Sequence, residues 1–131
     1  MKTALSFDDV LLVPKYSDID SRSNITLEQT VKNVGHISLP IISSPMDTVT
    51  ESKMASAMYK LGGFGIIHRY NTIQQQADLA REVIDQGGDC GAAIGINDDF
   101  LERAIALTNT GVGVICIDVA HGHHAKVRSA L

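Results

Sequence analysis

Leu39-Pro40-Ile41-Ile42-Ser43-Ser44-Pro45-Met46-Asp47-Thr48-Val49-Thr50-Glu51 is the stretch that decides the architecture. A short apolar run, Pro40 to Ser44, ends abruptly in small polar residues, and a helical pattern begins near Glu51. Strand, loop and helix in that order form the repeating unit of α/β proteins, including α/β barrels. The helix from about Glu51 to Leu61 carries Met54, Ala55, Met58 and Leu61 at spacings that build one apolar face, and Gly62-Gly63 stops it.

The unit then recurs. Phe64-Gly65-Ile66-Ile67 reads as the second strand and ends in His68-Arg69-Tyr70-Asn71. Thr72 with Gln75 reads as a capping box for a helix whose buried stripe is Ile73, Ala77, Ala80 and Ile84, closed by Gly87-Gly88. Gly91 to Gly95 is the third strand. Ile96-Asn97-Asp98-Asp99 can cap a helix containing Leu101, Ala104, Ile105 and Thr108, which Gly111 stops. Val112 to Ile117 is the fourth strand, ending at Asp118, and a last helix starts near His121. Continuous apolar strands alternating with helices predict a parallel sheet covered on both faces, with right-handed connections. Upstream, Val10 to Pro14 reads as extended chain, Ser21 to Asn24 as a turn, and Ile25 to Val31 as an edge strand.

The 131 residues are 44% hydrophobic and 20% charged, a globular composition. Such a length allows one ordinary domain but falls short of the ~250 residues of an eight-stranded barrel. A formal net charge of -4 and a pI near 5.6 give no reason to expect nucleic acid or anionic membrane as a partner. Anionic ligands remain compatible, because loops and helix N-termini bind phosphate without net positive charge. Asp8 and Asp9 interrupt the N-terminus, so no signal peptide is read, and no apolar run approaches membrane-spanning length. Cys90 and Cys116 lie in or beside apolar segments and read as buried and reduced, which makes the cytoplasm the expected location.

Ligands of such folds bind where strands end. Ser43, Ser44, Met46 and Asp47 follow the first strand. His68, Arg69 and Tyr70 follow the second, Asn97 and Asp98 the third, and Asp118, His121, Gly122 and His123 the fourth. All would converge on one rim. Ser44 and Asp47 either begin the next helix or reach a ligand, His68-Arg69 is either an exposed basic pair or part of the site, and Asn97 and Asp98 read as caps. A carboxylate straight after Val-Ile-Cys-Ile is costly to bury alone, so Asp118 reaches the rim or meets a donor. His121-Gly122-His123-His124 lacks the helical i, i+4 pair or cysteine partners of a strong metal signal, and no metal is assigned. Either cysteine could be a nucleophile only if exposed and activated by a nearby cation or base, and lying in strands both read as packing residues.

Phe7-Asp8-Asp9-Val10-Leu11-Leu12-Val13-Pro14, Ser43 to Glu51, Gly62-Gly63-Phe64-Gly65-Ile66-Ile67-His68 and Ile117-Asp118-Val119-Ala120-His121-Gly122-His123 together resemble the IMP dehydrogenase/GMP reductase family, in order and spacing over essentially the whole chain. The resemblance implies a (β/α)8 TIM-type barrel with about the first four βα units present here. Residues 1–38 would lead into the barrel and residues 39–131 would form its first half. It implies hydride transfer between a nicotinamide cofactor, NAD or NADPH, and the purine C2 of IMP/XMP or GMP. It further implies substrate binding by Ser44, Met46 and Asp47, and cofactor binding by Asp118, Arg69 and His121. The family's catalytic cysteine would lie beyond Leu131, so the 131-residue chain alone is expected to be inactive. A homotetramer, and a K+ site outside this chain, belong to the same implication.

The Ser-Ser-Pro-Met-Asp loop and Ala-His-Gly-His look like IMP dehydrogenase. Ser21-Arg22-Ser23, His68-Arg69-Tyr70 and the absence of a CBS pair near the end of the second helix look more like GMP reductase. The alternative reading is a catalytically incomplete half-barrel that binds nucleotide or self-assembles through its open strand edges.

Overall fold

The computed structural model describes residues 2–97 and 99–131, so Asp98, one of the expected caps, lies outside the described residues. The regular elements are β1 (Gln29–Val31), β2 (Gly35–Ile37), β3 (Ile42–Ser43), α1 (Ser52–Lys60), β4 (Phe64–Ile67), α2 (Ile73–Asp85), β5 (Gly91–Ile94), α3 (Phe100–Thr108), β6 (Val114–Ile117) and α4 (Ala125–Ala130). β3 to β6 form one parallel sheet in sequential order, so every crossover steps the same way. α1 packs beside α2 and α2 beside α3, which places these helices on one face of the sheet. The mixed α/β architecture and its parallel sheet are those read from the sequence, although the expected cover on the second face is not supplied by these helices.

Local signals explain the boundaries. Thr72 and Gln75 form the expected capping box at the start of α2. Gly62, Gly87 and Gly111 take the left-handed backbone that ends α1, α2 and α3, with φ of 82°, 74° and 95°. The expected edge strand over Ile25–Val31 shrinks to β1, which pairs antiparallel with β2. That hairpin was not read from the sequence, although Asn33 and Gly35 supply its positive-φ turn. The segment from Val10 to Pro14 is not helical, with Val10 itself extended, and Phe7, Leu11 and Leu12 stand almost fully exposed.

The core joins Ala55, Ile67, Ala80, Val83, Cys90, Ala92, Ile94, Leu107 and Val112 between helices and sheet. Two expected apolar faces are corrected. On α1, Ala55 is buried while Met54 and Leu61 are exposed, because the helix sits tightly on β4 through Ala55 and Gly65. On α3, Leu101 and Ile105 are exposed and Arg103 and Leu107 are buried, because polar partners hold the Arg103 face inward. The last helix starts at Ala125, later than expected, with His124 as its cap. Its N-terminal neighbours, Asp118 to His123, are irregular. α2 passes to β5 through only Gln86–Cys90.

Candidate functional site

The loop after β3 is tied down from within. Thr50 is wholly buried, and its hydroxyl donates to the Ser44 carbonyl at 2.6 Å and lies 2.9 Å from the Ser43 hydroxyl. The Thr50 carbonyl in turn accepts the His68 N–H at 3.2 Å, which stitches this loop to the end of β4. A turn closed by Val49 and Thr50 N–H groups on the Met46 carbonyl, each at 2.9 Å, leaves Ser44, Met46 and Asp47 on the surface.

The loop after β4 carries His68, which is buried. Its Nδ1 accepts the Tyr70 N–H at 3.1 Å, so the ring proton sits on Nε2, 3.3 Å from Glu51 Oε1. Arg69 follows. Its Nε lies 3.6 Å from Asp118 Oδ2, with both side chains about one-third exposed at 32% and 31%. That is ion-pair distance but longer than a hydrogen bond, and the buried Arg69 Nε has no hydrogen-bond partner among the described residues. The guanidinium also stacks over Tyr70, 5.3 Å from its ring centre. Gly95 makes room for it, since a Cβ there would stand 3.3 Å from Arg69 Nη1. Asp118 is aimed by its own N–H, which donates to the Ile94 carbonyl at 2.9 Å. The sequence offered rim or donor for Asp118, and the structure leaves it about one-third exposed at the strand end, at ion-pair distance from Arg69.

Beneath these loops runs a buried polar network. Gln76 Nε2 donates to the carbonyls of Ala93 at 2.8 Å and Ile67 at 3.4 Å. Its Oε1 accepts from Arg103 Nη1 at 2.9 Å, while Arg103 Nη2 donates to the Asn71 carbonyl at 3.1 Å and to Asp99 at 2.6 Å. Sequence reasoning missed both residues. The Asp99/Arg103 spacing of four was the available signal. Asp99 occupies the cap position of α3 without a side-chain cap bond, because its carboxylate is committed to Arg103. Asn97 accepts from Lys126 Nζ at 3.1 Å rather than capping with its side chain.

Asp47 shares a cleft with His68 and Tyr70, away from Arg69 and Asp118, while His121 stands apart. Asp47 lines a cleft of about 560 Å³ with Glu51, Asp78 and Glu82. Four carboxylates there repel a phosphate, although each can accept from a hydroxyl. His121 is exposed and meets His123 edge to face at 6.4 Å, with no bond to Arg69 or Asp118. Among the described residues no group of three His, Cys, Asp or Glu could hold a metal ion. Burial, helped by the Asp89 charge, pushes the Cys90 thiol up to about 12. Burial and then the Asp118 charge also push Cys116 up. Neither thiol is poised to attack. Among the described residues no helix is long and apolar enough to cross a membrane.

The family described as IMP dehydrogenase / GMP reductase domain matches residues 4–131. The chain is 55% identical over 86 residues to an inosine-5'-monophosphate dehydrogenase of Nitrosopumilus maritimus (strain SCM1), covering 66% of this chain and 18% of that protein. It is 34% identical to one of Cryptosporidium parvum, over 94% of this chain and 41% of that protein. It is 32% identical to one of Borreliella burgdorferi (strain ATCC 35210 / DSM 4680 / CIP 102532 / B31), over 96% of this chain and 43% of that protein. The chain thus spans less than half the length of these relatives.

Proposed function

The chain belongs to the IMP dehydrogenase/GMP reductase family, and from that premise we propose that the complete protein is a purine-nucleotide oxidoreductase. It passes a hydride between the purine C2 of IMP/XMP or GMP and a nicotinamide cofactor, NAD or NADPH. The observation that carries the reading is the pairing of Arg69 and Asp118 at the C-terminal ends of β4 and β6, across Gly95 after β5. The names of the relatives favour IMP oxidation as the direction.

The residues suit these ligands. Among the described residues Arg69 Nε is a buried donor without a hydrogen bond, and the Asp118 side chain is about one-third exposed. Asp118 would hold the hydroxyls of the nicotinamide ribose, with Arg69 and His121 beside it. When bound, the nicotinamide accepts or gives the hydride. On the other side, Met46 offers an apolar face to the purine and Ser44 a hydroxyl. Asp47 suits a sugar hydroxyl and not the phosphate. The raised Cys90 and Cys116 thiols support placing the nucleophilic cysteine of the complete protein outside residues 1–131, which leaves this stretch inactive by itself. We assign no K+ site to it.

In the same reading, residues 39–131 are the first half of a (β/α)8 barrel and residues 1–38 lead into it. The short Gln86–Cys90 link supports the lack of a CBS insertion there. A homotetramer in the cytoplasm completes the proposal, supported for location by two free cysteines. A second reading, self-assembly of the half-barrel, is favoured by the open edges β3 and β6 and by exposed Phe7, Leu11 and Leu12. Light scattering tests it, and a stable monomer of residues 1–131 would count against it.

The test of the main reading is turnover by the complete gene product, followed by nicotinamide absorbance, with IMP plus NAD and with GMP plus NADPH. Activity on one pair is expected. Inertness toward both would defeat it.

A further inference from the structure

We propose that Arg103 and Gln76 are positioning residues that set the Arg69 loop against Asp118, and so govern cofactor binding separately from purine-nucleotide binding. The kinetic part rests on the oxidoreductase reading above. The geometric part does not.

Arg103 is 7% exposed and Gln76 is fully buried. A buried guanidinium is tolerated only when its donors are met, and here Asp99, Gln76 and the Asn71 carbonyl meet them. The Arg103 fork beside Oε1 also fixes which end of the Gln76 amide points at the strands. What these two side chains grip matters more than how tightly they are bound. Gln76 holds the last carbonyl of β4, at Ile67, and the penultimate one of β5, at Ala93. Arg103 holds the Asn71 carbonyl, two residues beyond Arg69.

Arg69 therefore stands in a slot with both walls anchored by one network. One wall is its own loop, His68 to Asn71. The other is Gly95, two residues beyond Ala93, which lies against the Arg69 guanidinium. Asp118 is fixed to the neighbouring Ile94 carbonyl. The 3.6 Å gap between Arg69 and Asp118 is thus set by Gln76 and Arg103. The Ser44–Met46 loop is held by the Thr50 hydroxyl instead, and it meets the Arg69 loop at His68, whose N–H donates to the Thr50 carbonyl, rather than at Gln76 or Arg103. A helix needing only adhesion to the sheet could use an apolar residue at position 103, and that residue would reach no strand-end loop.

The experiment compares wild type, Arg103→Lys and Arg103→Met in the complete protein, with Arg81→Lys on the exposed face of α2 as the control. Arg103→Met is expected to raise the cofactor KM roughly tenfold or more while the purine-nucleotide KM moves less than about threefold, with Arg103→Lys between it and wild type. A fall in apparent kcat that merely tracks the unfolded fraction, with both KM values unchanged, would overturn the positioning role. If Arg103→Met does not fold, Arg103→Lys carries the comparison. If wild type turns over neither substrate pair, the oxidoreductase reading fails and the Arg69 Nε–H resonance decides the geometry. A shift in Arg103→Lys that is absent in Arg81→Lys supports positioning, and an unmoved resonance refutes it.

Discussion

Thr50→Val isolates the tie that holds the β3 loop. Valine keeps the shape of threonine and puts a methyl group in place of the hydroxyl. The Ser44 carbonyl, 2.6 Å away, and the Ser43 hydroxyl, 2.9 Å away, both lose their partner inside a wholly buried position. A lost hydrogen bond removes about 1 kcal/mol, and a stranded buried group adds ~1–3 kcal/mol. Ser44 is exposed, so its carbonyl can turn toward water and the total stays in the lower part of that range, at roughly 2 kcal/mol. In the complete protein, more than twice the length of this chain if it matches its relatives, that lowers the melting temperature by roughly 4 °C. Turning the carbonyl also displaces the loop, because a methyl group cannot sit 2.6 Å from an oxygen when carbon–oxygen contacts start near ~3.3 Å. The purine-nucleotide KM should therefore rise, the cofactor KM should stay, and Thr50→Ser should recover both stability and KM. Thermal melts and steady-state kinetics on the complete protein read these quantities. A valine variant with wild-type melting and wild-type nucleotide KM would refute the reasoning.

Gly65→Ala places a Cβ 2.6 Å from the Ala55 Cα and 2.9 Å from its Cβ, so α1 must lift, at about 3 kcal/mol. Gly87→Ala meets nothing within 4 Å and costs only its left-handed backbone, about 1 kcal/mol, so denaturant melts should rank the two in that order. Cys90 should resist alkylation at neutral pH in the native protein and react once unfolded. Its folded thiol value is raised from 9.0 to about 12, so its contribution to stability is complete below 9.0 and is lost as pH rises toward 12, which alkaline melts of wild type and Cys90→Ala can read. Asp118→Ala should raise the cofactor KM while barely moving the melting temperature, because a part-exposed pair at 3.6 Å holds less than about 1 kcal/mol. Collapsed melting with normal kinetics would make Asp118 structural.

The strand-loop-helix rhythm was legible because glycine stops and the Thr72 cap are local chemistry, carried by a few adjacent residues. Asp118 was legible too, since a carboxylate closing an apolar strand demands an explanation. The buried sides of α1 and α3 were not. Met54 and Leu101 satisfy a helical period, but Gly65 and the Arg103 partners, distant in sequence, decide which side faces inward. Gln76 was invisible for the same reason, because its carbonyl partners belong to two strands, one of them beyond the helix that carries it. His121 and Asp47 show the limit of reading a motif as one cluster. Sharing a strand-end loop with Asp118 or Ser44 did not give either a bond to its expected companions.

Hydrogen–deuterium exchange of the complete protein, with and without IMP and NAD, tests the location of the site most directly. Protection is expected at 43–50 with the purine nucleotide, and at 68–71, 95–97 and 118–121 with the dinucleotide. Turnover accompanied by protection on the outer surfaces of α1 and α2, with the strand-end loops unchanged, would contradict the account.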